Sequence, residues 1–284
     1  MGLHISQVKR KFDIRLIVSD LDGTLGHDDI SKQSAAVIKK HTLDPENHFA
    51  IVSARMPNAI RTELDSVGLS SSPNLHIGGY HGNLSYINGE RVRNLSFEPF
   101  VAQRFYTRAN KYGIEGIVFT EQKAYATKAT PISWTQWYAA KAKHPVLHEP
   151  VPENQPIYMF EFLQDPKLEV TSLYSKLGVN PCNATTFVFN PSQWNPPIEK
   201  IIVQFIPSLS GKGNALVYFA QRLNISLSKA MSIGDGEPDI AMLLRREPLT
   251  VAMGNANEHV KSAAKFETNP APHGFADAYR KLVK

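Results

Sequence analysis

The chain has little cysteine and no long apolar run, and each lack excludes a class of protein. Cys182 is the single cysteine among 284 residues, so an intramolecular disulfide is excluded and a reducing compartment is expected. No apolar stretch approaches the roughly 18 residues that a membrane-spanning helix needs. Residues 1–11 contain a basic cluster, but no apolar stretch follows it, so we expect no secretory signal. We therefore expect a cytoplasmic protein with no membrane partner.

The sequence also lacks a concentrated basic region and a metal-spaced histidine cluster. The net charge is +5, but lysine and arginine are dispersed, so we expect no nucleic-acid partner. An anionic small substrate would account for the same charge. The ten histidines do not have the spacing of zinc ligands, so we expect no zinc site. There is no internal repeat and no low-complexity tract.

Residues 14–24 are the most informative stretch that is present. Residues 14–18 are mostly apolar and β-branched, which predicts a strand buried on both faces. Asp20 and Asp22 follow, and on an extended chain their side chains point the same way. Their mutual repulsion calls for a counter-charge, which a bound metal or a lysine would supply. An acidic surface turn is the simpler interpretation of this pair when it is considered alone.

The order of the predicted strands and helices indicates two domains, one inserted into the other. Strands alternate with helices in residues 1–82 and again in 208–284, which predicts an α/β, Rossmann-like parallel-sheet core. Residues 83–207 instead contain a hairpin at Asn88-Gly89 and further paired strands with intervening helices. This middle region is predicted to be an inserted α+β domain. The core is thus split in sequence.

Polar groups stand at four strand ends or helix starts of the split core. They are Asp20 with Asp22, Ser53, Lys212 and the segment 234–239, Gly-Asp-Gly-Glu-Pro-Asp. An open α/β sheet places its chemistry at the carboxyl ends of its strands, so we expect these groups to meet. Each has a plain alternative: a helix cap for Ser53, a solvated lysine for Lys212, and turn residues for 234–239.

In order and spacing, these motifs resemble those of the haloacid dehalogenase-like (HAD) phosphatases, specifically the Cof-type subclass IIB. The resemblance covers both halves of the core. The inserted region matches by length, position and strand pattern, which implies a cap domain that selects the substrate. The matching stretches are Asp20–Thr24, Ile51–Ser53, Ser210–Gly213, Gly234–Leu243 and Val251–Lys261.

The resemblance implies a Mg²⁺-dependent phosphomonoester hydrolase that forms an aspartyl-phosphate. It implies that Asp20 is the nucleophile and that Asp22 is the general acid and base. Lys212 would reduce the repulsion between the carboxylate and the phosphate. Ser53, the backbone near Ala54, and Lys212 would hold the phosphoryl oxygens.

The same resemblance implies a metal site and a set of supporting residues. The side chains of Asp20 and Asp235 and the backbone carbonyl of Asp22 would bind Mg²⁺, which prefers hard oxygen ligands. Thr24 would orient the loop, and Asp239 would fix either Lys212 or a metal-bound water. Arg55 and Asn255 are candidates for the phosphate side of the site or for its support.

The implied substrate is a small phosphorylated metabolite, most simply a sugar or polyol phosphate. Two alternatives stay open: a sugar phosphomutase of the same fold, and a catalytically weakened binding or regulatory protein. The second depends on Pro238, which stands where the family has asparagine. The domain entrance also differs, reading His81-Gly82-Asn83 instead of Asn-Gly-Ala. The sequence leaves open whether the protein is a monomer or a homo-oligomer.

Overall fold

Strands and α-helices alternate along most of the chain in the computed structural model, which describes residues 3–27, 29–142, 144–180, 184–189 and 199–284. The strands are β1 (Leu3–His4), β2 (Leu16–Ser19), β3 (His48–Val52), β4 (Leu75–Gly79), β5 (Leu84–Ile87), β6 (Glu90–Asn94), β7 (Gly116–Phe119), β8 (Ala124–Ala126), β9 (Val146–Leu147), β10 (Met159–Gln164), β11 (Ala184–Phe189), β12 (Ile201–Pro207), β13 (Ala230–Gly234), β14 (Leu249–Ala252) and β15 (Phe266–Glu267). The α-helices are α1 (Lys32–Thr42), α2 (Pro57–Ser66), α3 (Pro99–Lys111), α4 (Ile132–Ala142), α5 (Val170–Leu177), α6 (Lys212–Arg222), α7 (Ile240–Leu243), α8 (Glu258–Ala263) and α9 (Gly274–Leu282). In these ranges, no helix has the length and apolarity needed to cross a bilayer.

The chain divides into two compact units. One consists of Met1–Asn94 with Gly211–Lys284, and the other of Leu95–Ser210. The predicted boundaries, after residues 82 and 207, therefore lie too early. The sequence places the hairpin β5–β6 in the inserted domain, but β5 pairs antiparallel with β4 and extends the sheet of the first unit. The Asn88-Gly89 turn determines which two strands pair locally, not which sheet they join.

The sheet of the first unit has the strand order β1-β15-β14-β13-β2-β3-β4-β5-β6. Neighbouring strands from β1 to β4 are all parallel, which confirms the predicted Rossmann-like core. β2 lies between β13 and β3, and Ser19 on β2 is opposite Ile233 and Ile51. The residues that follow these three strands consequently emerge at one edge of the sheet.

Helices cover both faces of this sheet because the central strands are apolar on both sides. Ile17 belongs to a core cluster that includes side chains of α1, α2 and α9. Its neighbours Leu16 and Val18 belong to a second cluster with side chains of α6, α7 and α8. All three are fully buried. A strand buried on both faces lacks the alternation of polar and apolar residues seen at half-exposed sheets.

The helix boundaries of the first unit follow recognisable capping residues. Ser31 caps α1 by accepting a hydrogen bond from the backbone N–H of Ser34 at 3.1 Å, as its position predicts. α2 begins at Pro57 and is followed by Gly68, whose φ of 69° is left-handed. The strands β1, β9 and β15 were not predicted. Each has two residues, too few for a periodic pattern.

The second unit is an α+β domain, as predicted. Its sheet has the order β11-β12-β10-β7-β8-β9 and is antiparallel except between β8 and β9. α3 and α5 contribute to a phenylalanine-rich core on the sheet, where Phe105 contacts Phe160 and Phe205. Cys182 lies outside the described residues. The sequence predicts a strand over 186–190, and its last residue, Asn190, also lies outside them.

Three histidines lie together near the amino-terminal ends of β3 and β4. Nδ1 of His48 is 3.0 Å from Nε2 of His76, and the two rings stack. His41 packs edge-on against Tyr279. Burial lowers the pKa of His41 to about 4 and that of His76 to about 3. Both imidazoles are therefore neutral in the folded protein at neutral pH.

These buried histidines predict a loss of stability in mild acid. The folded-state pKa values of His41 and His76 lie below the unfolded value of about 6.5. The stability of the fold with both imidazoles neutral is therefore fully present above about pH 6.5. It is lost as the pH falls towards 4. Between pH 7.5 and 5, His41 alone should reduce the free energy of unfolding by about 2 kcal/mol.

The test is urea unfolding of wild type and His41→Leu at pH 7.5 and pH 5. The variant should lose less stability than wild type over this interval, by about 2 kcal/mol. His259→Leu makes the same exchange at an exposed histidine and serves as the control. An equal pH dependence in His41→Leu and wild type would contradict the prediction.

Candidate functional site

Asp20 follows β2 directly and lies at the centre of the sheet edge. Its backbone N–H donates to the carbonyl of Ile233 at 3.0 Å, which continues the pairing of β2 with β13. Its Oδ1 atom accepts from the N–H of Leu21 at 2.7 Å and lies 2.6 Å from Nζ of Lys212. In the described part of the chain, Oδ2 of Asp20 accepts no hydrogen bond. One oxygen of this buried carboxylate is therefore held and the other is available.

Lys212 is a buried cation between two carboxylates. It is the first residue of α6, where a positive charge is unfavourable because the amide dipoles already make the helix start positive. Its Nζ lies 2.6 Å from Asp20 Oδ1 and 2.8 Å from Asp239 Oδ1, and its side chain is 3% exposed. The two ion pairs offset both the dipole and the loss of solvent. This excludes the simpler interpretation of Lys212 as a solvated lysine.

Asp239 connects the lysine to the turn after β13. Its Oδ2 atom accepts from the backbone N–H groups of Asp235 and Gly236 at 3.0 and 2.9 Å. A Cβ atom on Gly234 would lie 2.4 Å from Cγ of Asp239, so this approach requires glycine. Of the two predicted partners of Asp239, the geometry favours Lys212. Pro238 lies in the short 3₁₀ helix Glu237–Asp239, whose first turn needs no N–H from it.

Asp235 contacts the loop after Asp20 from the neighbouring strand. Its Oδ1 atom accepts from the Thr24 hydroxyl at 2.8 Å, and its Oδ2 atom accepts from Nδ2 of Asn255 at 3.1 Å. Asn255 Nδ2 also lies 3.0 Å from the carbonyl of Gly23. Gly23 has a φ of 76°, and a Cβ atom there would lie 2.3 Å from Asp235 Oδ2. The predicted supporting residues Thr24 and Asn255 thus both contact the carboxylate of Asp235.

The charges of this cluster fit a divalent cation. Asp20, Asp235 and Asp239 each place one carboxylate oxygen within 4.8 Å of the others. Burial and the charge of Asp239 raise the pKa of Asp20, and they raise that of Asp235 to about 7. Burial alone would lower the pKa of Lys212, but the charges of Asp20 and Asp239 outweigh it and raise that pKa. Three carboxylates share one buried cation, and their hard oxygens suit Mg²⁺.

Asp22 does not join this cluster through its side chain. Its carboxylate is 46% exposed and is held by Arg55, with Nε 3.0 Å from Oδ2 and Nη2 2.5 Å from Oδ1. Arg55 also contacts Glu63 on α2, with Nη1 2.9 Å from Oε1. Glu63 was not predicted as a site residue. The sequence feature that could have identified Glu63 is its position as an acidic residue on the apolar face of α2, between Ile60 and Leu64.

Ser53 follows β3, the strand beside β2. Its N–H donates to the carbonyl of Gly78 at 3.0 Å, and its hydroxyl oxygen accepts from the N–H of Arg55 at 3.1 Å. The hydroxyl proton is thus left to donate. Ser53 and Ala54 lie at the same edge of the sheet as Asp20 because β2 and β3 are parallel. A hydroxyl donor at this edge suits an anionic oxygen.

Comparisons with known proteins identify the family. The model of the haloacid dehalogenase-like hydrolases matches residues 17–278. The chain belongs to this family. A Streptococcus pyogenes protein named Putative phosphatase M6_Spy0533 is 25% identical to this hydrolase over 280 residues, which cover 95% of this chain and 98% of that protein. A Bacillus subtilis protein named Putative phosphatase YkrA is 23% identical over 275 residues, covering 95% and 98%.

Solved structures show the same fold. A haloacid dehalogenase-like hydrolase from Bacteroides thetaiotaomicron superposes on this hydrolase with a TM-score of 0.78 at 19% identity, covering 94% of this chain and 99% of the other. The HAD subclass IIB sugar phosphatase BT4131 superposes with a TM-score of 0.72 at 17% identity, covering 94% and 98%. The predictions of a HAD-type hydrolase and of its fold are confirmed.

Removal of the buried cation should destabilise this hydrolase. In Lys212→Met, the carboxylates of Asp20 and Asp239 lose their partner while remaining buried, which should cost about 3–5 kcal/mol in the free energy of unfolding. Urea unfolding in the presence of EDTA measures this. The control is Lys229→Met, which removes a half-exposed lysine paired with Asp13 and should cost about 1 kcal/mol or less. Similar losses in the two variants would show that Lys212 does not balance the cluster.

Proposed function

We propose that this hydrolase is a phosphatase that cleaves phosphomonoesters through an aspartyl-phosphate formed on Asp20. The observation that carries the proposal is the state of the Asp20 carboxylate. Lys212 and the N–H of Leu21 hold its Oδ1 atom, while Oδ2 is left to attack. A carboxylate fixed by a buried cation in this way is suited to nucleophilic catalysis.

In the first step, Oδ2 of Asp20 attacks phosphorus and the bond from phosphorus to the ester oxygen breaks. The leaving alkoxide takes a proton from the carboxyl group of Asp22, which lies two residues further along the same loop. Lys212 reduces the repulsion between the Asp20 carboxylate and the phosphate. The hydroxyl of Ser53 and the backbone N–H of Ala54 donate to the phosphoryl oxygens.

In the second step, water attacks the phosphorus of the aspartyl-phosphate. The Asp22 carboxylate takes a proton from this water, and the bond between phosphorus and Asp20 breaks. Inorganic phosphate leaves, and both carboxyl groups return to their starting protonation states. Arg55 occupies one lone pair on each oxygen of Asp22, which leaves a second lone pair on each oxygen for proton exchange.

Mg²⁺ is the cofactor that the donor set supports best. The side chains of Asp20 and Asp235 and the backbone carbonyl of Asp22 would hold it, while the Asp239 carboxylate contacts Lys212 and the backbone N–H groups of Asp235 and Gly236. The bound ion would balance the negative charge of the phosphoryl oxygens. Thr24 and Asn255 orient the Asp235 carboxylate towards this position.

The substrate class belongs to the same proposal. We infer a small sugar or polyol phosphate, which is consistent with the net charge of +5 and with the sugar phosphatase among the structural neighbours. Selection of the alcohol is assigned to the unit Leu95–Ser210. The single cysteine fits a cytoplasmic enzyme.

The two alternatives receive less support. The alternative of a catalytically weakened binding protein depends on Pro238, which stands where the family has an asparagine amide near the metal site. In the structure, Nδ2 of Asn255 contacts Asp235, so an amide contacts this carboxylate without residue 238. A phosphomutase would use the same Asp20 but return the phosphoryl group to a sugar. The two activities differ in product, because only a phosphatase releases inorganic phosphate.

The test is hydrolysis of p-nitrophenyl phosphate by wild type, with Mg²⁺ and with EDTA, and by Asp20→Asn. Wild type should release inorganic phosphate only with the metal, and Asp20→Asn should lose roughly 10³-fold or more in kcat. Mass spectrometry of acid-quenched wild type should detect a phosphoryl group on Asp20.

The matched control is Asp13→Asn, which makes the same exchange at an exposed aspartate that pairs with Lys229. It should retain wild-type activity. Turnover by Asp20→Asn, with circular dichroism like that of wild type, would exclude the aspartyl-phosphate. In a parallel assay with a hexose phosphate as substrate, isomerised sugar phosphate without release of inorganic phosphate would indicate the mutase.

A further inference from the structure

Asp22 has a single side-chain partner in the described part of the chain. It is 46% exposed, and both of its oxygens are bound by the guanidinium of Arg55. An exposed carboxylate without a partner would sample several rotamers, whereas a two-point contact with arginine restricts its position. The location of the Asp22 carboxylate is therefore determined by Arg55.

Arg55 is itself held at several points. Its backbone N–H donates to the Ser53 hydroxyl, and its carbonyl accepts from the N–H of Tyr80 at 3.1 Å. Its Nη1 atom lies 2.9 Å from Oε1 of Glu63. The side chain of Arg55 is 12% exposed, so the guanidinium has little freedom to move away from this carboxylate.

Glu63 is fully buried on α2, with 0% of its side chain exposed. Its neighbours on the same helix face, Ile60 and Leu64, belong to the hydrophobic core. Burying a carboxylate is costly even when it is paired, and an apolar side chain at this position would remove that cost. A stability role is therefore a poor explanation of Glu63, whereas a role in fixing Arg55 accounts for its position.

We propose that Glu63 is a positioning residue that acts through Arg55 to place the Asp22 carboxyl group for proton transfer. This inference rests on the proposed function, in which Asp22 protonates the leaving alkoxide. The chain of contacts runs from a fully buried acid through a mostly buried guanidinium to a half-exposed carboxylate. Glu63 touches neither the substrate nor the reacting atoms.

The proposal predicts a dependence on the leaving group. p-Nitrophenolate is a weak base and departs without a proton, whereas phenolate and p-methoxyphenolate are stronger bases and gain more from protonation. A misplaced Asp22 should therefore slow phenyl phosphate more than p-nitrophenyl phosphate. A general structural defect would slow all of these substrates by the same factor.

The experiment measures kcat/KM for p-nitrophenyl, phenyl and p-methoxyphenyl phosphate with wild type, Glu63→Gln and Arg55→Lys. kcat/KM reports the step in which the leaving group departs. Glu63→Gln keeps the size of the side chain but removes its charge and one acceptor oxygen. We expect kcat/KM of Glu63→Gln to fall about tenfold more for phenyl phosphate than for p-nitrophenyl phosphate. General acid catalysis contributes roughly 10²–10⁴-fold in rate, so this loss corresponds to a part of that contribution.

The variants separate positioning from other effects. Asp65→Asn removes a negative charge from an exposed site on the same helix and should behave as wild type. Asp22→Asn should show the full dependence on the leaving group, and adding Glu63→Gln to it should not increase that dependence. If Glu63→Gln does not fold by circular dichroism, Arg55→Lys decides, because it keeps the charge beside Glu63 and loses the two-point contact.

The outcomes distinguish this inference from the function on which it rests. Failure of wild type to hydrolyse any aryl phosphate, or activity that survives Asp20→Asn, overturns the proposed function. Activity that depends on Asp20 and Asp22, combined with an equal loss on all substrates or no loss in Glu63→Gln and Arg55→Lys, overturns the positioning role alone.

Discussion

The site depends on one buried cation. Lys212 begins a helix in the second half of the split core and lies between Asp20, from the first half, and Asp239, from the turn after β13. Without this positive charge, two negatively charged side chains would be buried close together with no partner, which is strongly unfavourable. The lysine therefore joins segments that are about 190 residues apart in sequence, and the nucleophile of the proposed reaction depends on that junction.

The second constraint is the close approach of two backbone turns to the acidic groups. The turns after β2 and β13 bring Gly23 against Asp235 and Gly234 against Asp239, at distances that leave no room for a Cβ atom. Parallel pairing of β2 with β13 creates this proximity, since the two strands end side by side. The local turn chemistry and the sheet topology are consequently two requirements of one site.

Much of the fold was predictable because its signals are local. The apolar strands β2 and β3, the Ser31 cap and the Pro57 and Gly68 boundaries of α2 each depend on residues adjacent in sequence. The domain boundaries were predicted too early because the hairpin β5–β6 is a local signal whose partner strand, β4, is chosen by the sheet. Two-residue strands such as β9 depend on pairing alone and have no pattern of their own.

The sequence by itself determined which chemical groups stand at strand ends, namely Asp20, Ser53 and Asp235, and which stands at a helix start, Lys212. It could do so because strand, turn and helix starts are encoded by short apolar runs and capping residues. Only the tertiary structure decided how these groups are paired. Asp239 could have fixed a water and instead contacts Lys212, and the side chain of Asp22 contacts Arg55 rather than the cluster. Ion pairs form between whichever charges the packing brings within a few ångströms, and that distance is a property of the sheet and its helices, not of spacing along the chain.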